Sequence, residues 1–128
     1  MTSYKDSGVD IDAGNAASKA AYTHAIKTFA SRKGMIGAPL EDAGGFAGLL
    51  DMGDYYLVQN DDGTGSKMDL AFAMQKYDTI GYDLLAMVAD DAICMGAEVI
   101  SVSNTMDVSK VDPTMVDAIL SGLSKACQ

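Results

Sequence analysis

The residues best suited to chemistry form one short run, Asp61-Asp62-Gly63-Thr64-Gly65-Ser66-Lys67, between a strand-like stretch and a helix-like stretch. Glycines let backbone N–H groups approach an anion, a helix N-terminus favours negative charge, and Asp oxygens suit a divalent cation. The run is therefore a candidate loop for a phosphate group and its metal. The alternative is a solvated turn between a strand and a helix, which uses the same residue types.

Three further carboxylates lie on the helix that the sequence predicts from about residue 78 to residue 96. On a helical wheel, Asp91 falls in the middle of an apolar stripe, while Asp83 and Asp90 lie together at its edge. The stripe consists of Ile80, Leu84, Met87, Val88 and Met95. Because a buried ionised carboxylate is costly unless it is paired or metal-bound, the clustered acids favour a magnesium site and a phosphate-bearing ligand. Alternatively, Asp91 hydrogen-bonds a helix N-terminus or Lys67, and the other two acids are solvated.

The charge of the chain limits the partners that it can bind. Its 128 residues carry nine basic and eighteen acidic side chains, for a net charge of −9, and sixteen of the acids are Asp. Such a surface repels nucleic-acid backbones and anionic membranes, so we expect neither as a partner. It also repels ATP unless a divalent cation screens the phosphates, so an anionic ligand implies a metal.

The cysteines and the apolar runs indicate the compartment. Cys94 and Cys127 lie far apart in helix-like segments, and we interpret them as buried free thiols in a reducing compartment. No apolar run is long enough to span a bilayer, and the first residues have no apolar core. We therefore predict a cytoplasmic protein. Because a predicted helix continues almost to the last residue, we interpret the chain either as a truncated piece or as one half of a larger protein.

Hydrophobic periodicity and turn residues predict an α+β fold in which an initial helix is followed by the order β-β-α-α-β-α. We expect a small, largely antiparallel sheet covered by helices on one face, with the other face buried by the sheet of a second copy in a homodimer. In the first half, the predicted elements are an irregular segment over 1–11, a helix over 13–32 capped by Asp12, a loop over 33–45, and a hairpin with strands over 46–50 and 55–59. In the second half, we predict helices over 68–76 and 78–96, a strand over 98–104 and a helix over 114–126. Asp78 is the predicted cap of the helix over 78–96, and Asp112-Pro113 opens the last helix.

Several runs of the chain match a known family in order and spacing. They are Tyr4-Lys5-Asp6-Ser7-Gly8-Val9-Asp10-Ile11-Asp12-Ala13-Gly14-Asn15, Gly44-Gly45-Phe46, Asp62-Gly63-Thr64-Gly65-Ser66-Lys67, Asp78-Thr79-Ile80-Gly81-Tyr82-Asp83-Leu84-Leu85-Ala86-Met87, Met95-Gly96-Ala97-Glu98 and Leu120-Ser121-Gly122-Leu123. Together they resemble the N-terminal, ATP-binding domain of the phosphoribosylformylglycinamidine cyclo-ligases. The opening run is the most specific, whereas the loop and helix acids are shared with a wider superfamily of ATP-using enzymes. The resemblance implies that residues 1–128 are one such domain, without the second domain of the family.

By this resemblance, the expected reaction is the ATP-dependent closure of formylglycinamidine ribonucleotide to aminoimidazole ribonucleotide in purine biosynthesis, with phosphate transferred to the formyl oxygen. It implies ATP and Mg²⁺, a homodimer paired through its sheets, and little or no turnover by this chain alone. No catalytic residue is assigned. The residues implied to bind ATP and the metal are Asp62, Gly63, Thr64, Gly65, Ser66, Lys67, Asp83, Asp90 and Asp91, with Asp62, Asp83 and Asp91 as metal ligands.

Two departures from the family pattern add negative charge where ATP is expected. The family usually has Gly-Thr-Asp where this chain has Asn60-Asp61-Asp62, and Asn-Asp where it has Asp90-Asp91. The metal complement and the nucleotide affinity are therefore the properties that we expect to differ. Two other functions stay open: another ATP-using enzyme of the superfamily, of the thiamine-phosphate kinase or selenophosphate synthetase type, and a non-catalytic dimerisation or metal-binding module.

Overall fold

The computed structural model describes residues 3–41 and 47–128, and within these it contains four α-helices and one three-stranded sheet. The α+β fold class predicted from the sequence is confirmed. By their internal contacts, the described residues form two units, 3–41 with 49–57 and 47–48 with 58–128. The predicted Gly44-Gly45-Phe46 match lies outside the described residues. The helix cover of the sheet and its pairing with a second copy stay predictions.

The first unit begins with a 3₁₀ turn at Lys5–Ser7 and continues with helix α1 at Ile11–Phe29. The prediction that Asp12 caps this helix is wrong, because the helix starts earlier than expected and places Asp12 inside its first turn. Asp10 is the cap instead, since its carboxylate accepts a 3.0 Å hydrogen bond from the backbone N–H of Ala13. No residue of α1 is buried.

The sheet consists of β1 at Ala38–Pro39, β2 at Gly48–Asp51 and β3 at Tyr56–Gln59, in that order, so that β1 and β3 are its edges. The predicted hairpin is confirmed for its described residues. Its turn is tightened by Gly53, whose φ is +93° and whose N–H donates to the Asp51 carboxylate at 2.8 Å. Strand β1 was not predicted because its segment is rich in glycine and contains proline, although proline is tolerated in an edge strand.

The second unit contains α2 at Lys67–Met74, α3 at Ile80–Cys94 and α4 at Pro113–Ala126. The Asp112 cap of α4 is confirmed, because its carboxylate accepts from the N–H groups of Thr114 and Met115. Met115, Ile119 and Leu123 recur every four residues and form the buried face of α4. The hydrophobic residues buried in this unit are Ala71, Ile80, Ala92, Met115, Ile119 and Leu123.

Helices α3 and α4 cross at two glycines that bring their backbones into contact. A Cβ atom added to Gly81 would lie 2.0 Å from the backbone nitrogen of Leu123, and one added to Gly122 would lie 2.1 Å from the backbone oxygen of Asp78. Any side chain larger than hydrogen would therefore separate the two helices. This crossing fixes the position of α3, which carries three of the predicted site acids.

Three further sequence predictions are wrong. Residues 98–104 form no strand, because their alternating apolar pattern has no neighbouring strand to pair with in the described part of the chain. Asp78 does not cap α3; it pairs with Lys76 at 3.0 Å, and this lysine lowers the pKa of the Asp78 carboxyl. Cys94 and Cys127 are free thiols but are exposed, because one ends α3 and the other follows α4.

None of the described helices combines the length and the apolar character needed to cross a membrane.

Candidate functional site

The acidic, glycine-containing loop lies where the sequence predicts it, between the last residue of β3 and the first residue of α2. Its conformation depends on two glycines. Gly65 has a φ of +56°, a value that side chains disfavour, and the N–H of Gly63 donates to the Asp62 carboxylate at 2.6 Å. A Cβ atom added to either glycine would meet no other atom within 4 Å, so the space beside the loop is open to a ligand.

The backbone N–H groups available to an anion belong to the loop rather than to the first turn of α2. The N–H groups of Lys67, Met68 and Asp69 already donate to loop carbonyls at 3.3, 3.2 and 3.1 Å. Within the described residues, the N–H groups of 64–66 have no protein acceptor. Successive free N–H groups beside a glycine in a left-handed conformation form the concave type of surface that binds phosphate oxygens.

Lys67 and Asp83 form an ion pair between the start of α2 and the first turn of α3. The Lys67 Nζ atom lies 2.9 Å from a carboxylate oxygen of Asp83, and the two side chains are 50% and 39% exposed. Because water reaches both groups, the pair contributes little to stability and can exchange partners readily. The only cation of the loop is thus already beside one predicted metal ligand.

Asp91 has a different partner from those expected. Its side chain is half-buried on the apolar stripe of α3, as predicted, but it contacts neither a helix N-terminus nor Lys67. The Asn60 amide nitrogen lies 3.5 Å from the Asp91 carboxylate and donates to the backbone oxygen of Val88 at 3.1 Å. From the sequence, Asn60 had no predicted role beyond its departure from the family pattern. Asp90 is exposed.

The predicted ligands do not make a complete metal cage. Among the described residues, no group of three or more His, Cys, Asp or Glu side chains is placed to bind a metal ion. Magnesium in nucleotide sites usually takes one or two protein carboxylates and completes its shell with phosphate oxygens and water. Exposed Asp61 and Asp62 have the hard oxygen donors that such a site needs. The joint role of Asp62, Asp83 and Asp91 stays a prediction.

A cleft of about 300 Å³ lies elsewhere in the second unit and contains no predicted site residue. It is lined in part by Phe72 and Tyr77, whose rings meet edge to face with centroids 5.6 Å apart, and by Lys110 and Met115. Because the residues are distant in sequence, no local pattern indicates this cleft.

An exposed loop of acids, glycines and free N–H groups between a strand and a helix is a feature that phosphate-binding proteins share. Residues 44–128 match the family described as "AIR synthase related protein, N-terminal domain", and the chain belongs to that family. No solved structure matches the chain.

Three relatives are each named phosphoribosylformylglycinamidine cyclo-ligase. The protein of Thermococcus kodakarensis is 39% identical over 96% of this chain and 37% of its own length. The protein of Brevibacillus brevis is 41% identical over 97% of this chain and 36% of its own length. The protein of Pyrococcus furiosus is 38% identical over 100% of this chain and 38% of its own length. The chain therefore spans little more than a third of the length of these relatives.

Proposed function

We propose that this chain supplies the Mg-ATP-binding half of a phosphoribosylformylglycinamidine cyclo-ligase. In the proposed reaction, ATP transfers phosphate to the formyl oxygen of formylglycinamidine ribonucleotide, and ring closure gives aminoimidazole ribonucleotide in purine biosynthesis. The observation that carries the proposal is the loop at residues 61–67, with open space beside its glycines, in a chain whose relatives bear this name. Biosynthesis of this kind takes place in the cytoplasm, which we propose as the compartment.

The proposed roles of the loop residues follow from their available groups. The free N–H groups of Thr64, Gly65 and Ser66 would bind phosphate oxygens and orient the triphosphate. The candidate Mg²⁺ ligands are Asp62, Asp83 and Asp91, of which one or two would contact the ion while phosphate oxygens and water complete its shell. The ion would lower the negative charge on the transferring phosphoryl group. No residue of the chain is assigned to proton transfer.

Lys67 would change partner when the nucleotide binds. Its ammonium group lies beside the Asp83 carboxylate at 2.9 Å in a solvent-accessible ion pair. Binding of Mg²⁺ by Asp83 would release Lys67 towards a phosphate oxygen at little cost, because an exposed pair of this kind is worth less than about 1 kcal/mol. Both charges would then be neutralised by the ligand.

The two additional acids of this chain affect how ATP binding depends on Mg²⁺. Asp61 and Asp90 are exposed and add two negative charges beyond the family pattern. Since like charges repel ATP, we propose that binding depends more strongly on Mg²⁺ here than in a chain without these two acids.

A homodimer through the sheet is part of the proposal. In the described residues, β3 is an edge strand, and the segment 98–104, with its alternating pattern, contains Ile100, which is 78% exposed. Exposed strand edges and strand-like apolar segments are satisfied by pairing with another chain. Sedimentation analysis should give about twice the mass of one chain, and a monomer at micromolar concentration would contradict this part of the proposal.

The test of the nucleotide site is calorimetric titration of the chain with ATP, with and without Mg²⁺. Binding should require Mg²⁺ and should be lost in Asp62→Asn. The matched control is Asp117→Asn, which removes the same charge from an exposed aspartate on α4, outside the loop sequence. Equal binding by both variants would refute the assigned site. No binding by the unsubstituted chain would favour the non-catalytic module.

Turnover separates the cyclo-ligase from other ATP-using enzymes. Formation of aminoimidazole ribonucleotide and ADP should be weak or absent with this chain alone, because the relatives are almost three times longer. Robust activity from the 128 residues would contradict that expectation.

A further inference from the structure

The side chain of Asn60 joins the end of β3 to the middle of α3. Asn60 immediately follows Gln59, the last residue of the strand, and its half-buried amide nitrogen reaches two acceptors on the helix. These are the backbone oxygen of Val88 at 3.1 Å and the Asp91 carboxylate at 3.5 Å. Val88 and Asp91 are three residues apart and therefore lie on the same face of α3.

The two acceptors determine the orientation of the amide. An asparagine side chain offers two N–H donors on nitrogen and only acceptor lone pairs on oxygen. With the nitrogen towards α3, both neighbouring oxygens receive a donor. With the amide reversed, three oxygen atoms would face one another, so the observed orientation is the favourable one.

The Asn60 contact and the Lys67–Asp83 ion pair connect the two ends of the loop to the same helix. The loop begins at Asp61, directly after Asn60, and ends at Lys67. The ion pair is open to water, whereas the Asn60 amide is half-buried and uncharged, so a binding metal does not compete for it. The Asn60 contact would therefore persist if a ligand displaced the ion pair.

We propose that Asn60 is a positioning residue of the Mg-ATP site: its amide sets the orientation of the Asp91 carboxylate and its placement relative to the loop. This inference rests on the function proposed above. A carboxylate restrained by a hydrogen bond to one oxygen presents its other oxygen in a fixed direction, which lowers the cost of binding a metal. The Asn60 contact reaches the second of the paired acids Asp90-Asp91 on α3.

The experiment measures ATP binding by calorimetry over a range of Mg²⁺ concentrations. Asn60→Ala should raise the Mg²⁺ concentration for half-maximal binding about tenfold, the size expected for losing a hydrogen bond to a charged group. Asn60→Asp should raise it further, because a carboxylate would then face Asp91. The matched control is Gln59→Ala, which removes an exposed amide from the neighbouring residue and should leave the Mg²⁺ dependence unchanged.

A double substitution separates positioning from a general loss of structure. The Asp91→Asn background is titrated to higher Mg²⁺ concentrations, which offset the lost ligand. There, adding Asn60→Ala should change the Mg²⁺ dependence less than about twofold, because the carboxylate that it orients is gone. The thermal midpoint should fall by a similar amount in both backgrounds, since the bond to Val88 is lost in each. If Asn60→Ala does not fold, Asn60→Ser, which is too short to reach Asp91, replaces it.

The outcomes distinguish this inference from the proposed function. Mg²⁺-dependent ATP binding that Asn60→Ala and Gln59→Ala affect equally would overturn the role of Asn60 and leave the nucleotide site standing. An equal tenfold effect of Asn60→Ala with and without the Asp91 carboxylate would also overturn it. Absence of Mg-ATP binding by the unsubstituted chain would overturn both.

Discussion

Helices α1 and α4 both begin at an aspartate cap, but only one of them is packed. Over its 19 residues, α1 has no buried side chain, whereas the 14 residues of α4 include four buried ones. The apolar residues of α4 include large side chains on one stripe, while those of α1 are mostly alanines, which have little surface to bury. Composition and capping are thus enough to form a helix, but only a concentrated stripe lets a helix contribute to a core.

The comparison predicts different kinds of stability for the two helices. Isolated helices are marginal in water, so α1 depends on alanine propensity and its cap. In contrast, α4 should unfold together with α3, because their backbones touch. Hydrogen exchange should therefore show stronger amide protection in α4 than in α1, and equal protection would contradict the comparison.

The largest expected effect comes from adding a methyl group at the α3–α4 crossing. Gly122→Ala should lower the free energy of unfolding by about 4 kcal/mol, because its Cβ would lie 2.1 Å from a backbone oxygen that cannot rotate away. The matched control is Gly14→Ala in α1, where the same methyl meets nothing within 4 Å. It should increase helix stability by about 0.5–1 kcal/mol. Urea unfolding monitored by circular dichroism measures the change in free energy of unfolding for each variant. Changes of the same sign in the two variants would refute the difference in packing between α1 and α4.

Truncation of a core side chain should have the next largest effect. Ile119 is 4% exposed on α4, so Ile119→Ala should cost about 3 kcal/mol through lost burial and the cavity left behind. Ile11 in α1 is 64% exposed, and Ile11→Ala should stay within about 0.5 kcal/mol of the unsubstituted chain. Equal losses in thermal unfolding would show that α1 is packed after all.

Removal of the caps should have smaller effects. Asp112→Ala leaves two N–H groups of α4 without their acceptor and should lower the free energy of unfolding by about 1 kcal/mol. Asp10→Ala should instead increase hydrogen exchange in the first turn of α1 without shifting the main unfolding transition. A shift of that transition by Asp10→Ala would contradict the independence of α1.

The smallest expected effect is the acid sensitivity of α1. The ion pair with Lys5 and the N–H of Ala13 lower the pKa of Asp10 in the folded chain. Its stabilising contribution is therefore complete above the ordinary Asp pKa of about 3.9 and is lost as the pH falls through the lower folded value. Hydrogen exchange in the first turn of α1 should therefore accelerate as the pH falls through this range. Lys5→Met should move the acceleration to higher pH. The same pH dependence in Lys5→Met would exclude the ion pair as the cause.

Local patterns predicted most of the helices and the position of the candidate loop. The apolar spacing of α4, the Asp112-Pro113 start and the turn at Gly53 each act within a few residues, so they can be recognised in the sequence. The segment 98–104 shows the limit of such patterns. Its alternation is typical of a strand, but a strand exists only where another backbone pairs with it.

The sequence by itself determined the fold class, the family and the residue types of the loop, because composition, periodicity and motifs are local properties. Tertiary structure decided which groups meet. It paired Lys67 with Asp83 and gave Asp91 the amide of Asn60, a residue 31 positions away. It also brought Gly81 and Gly122 together at the helix crossing. These contacts depend on how whole elements pack, and packing joins residues whose separation along the chain carries no signal.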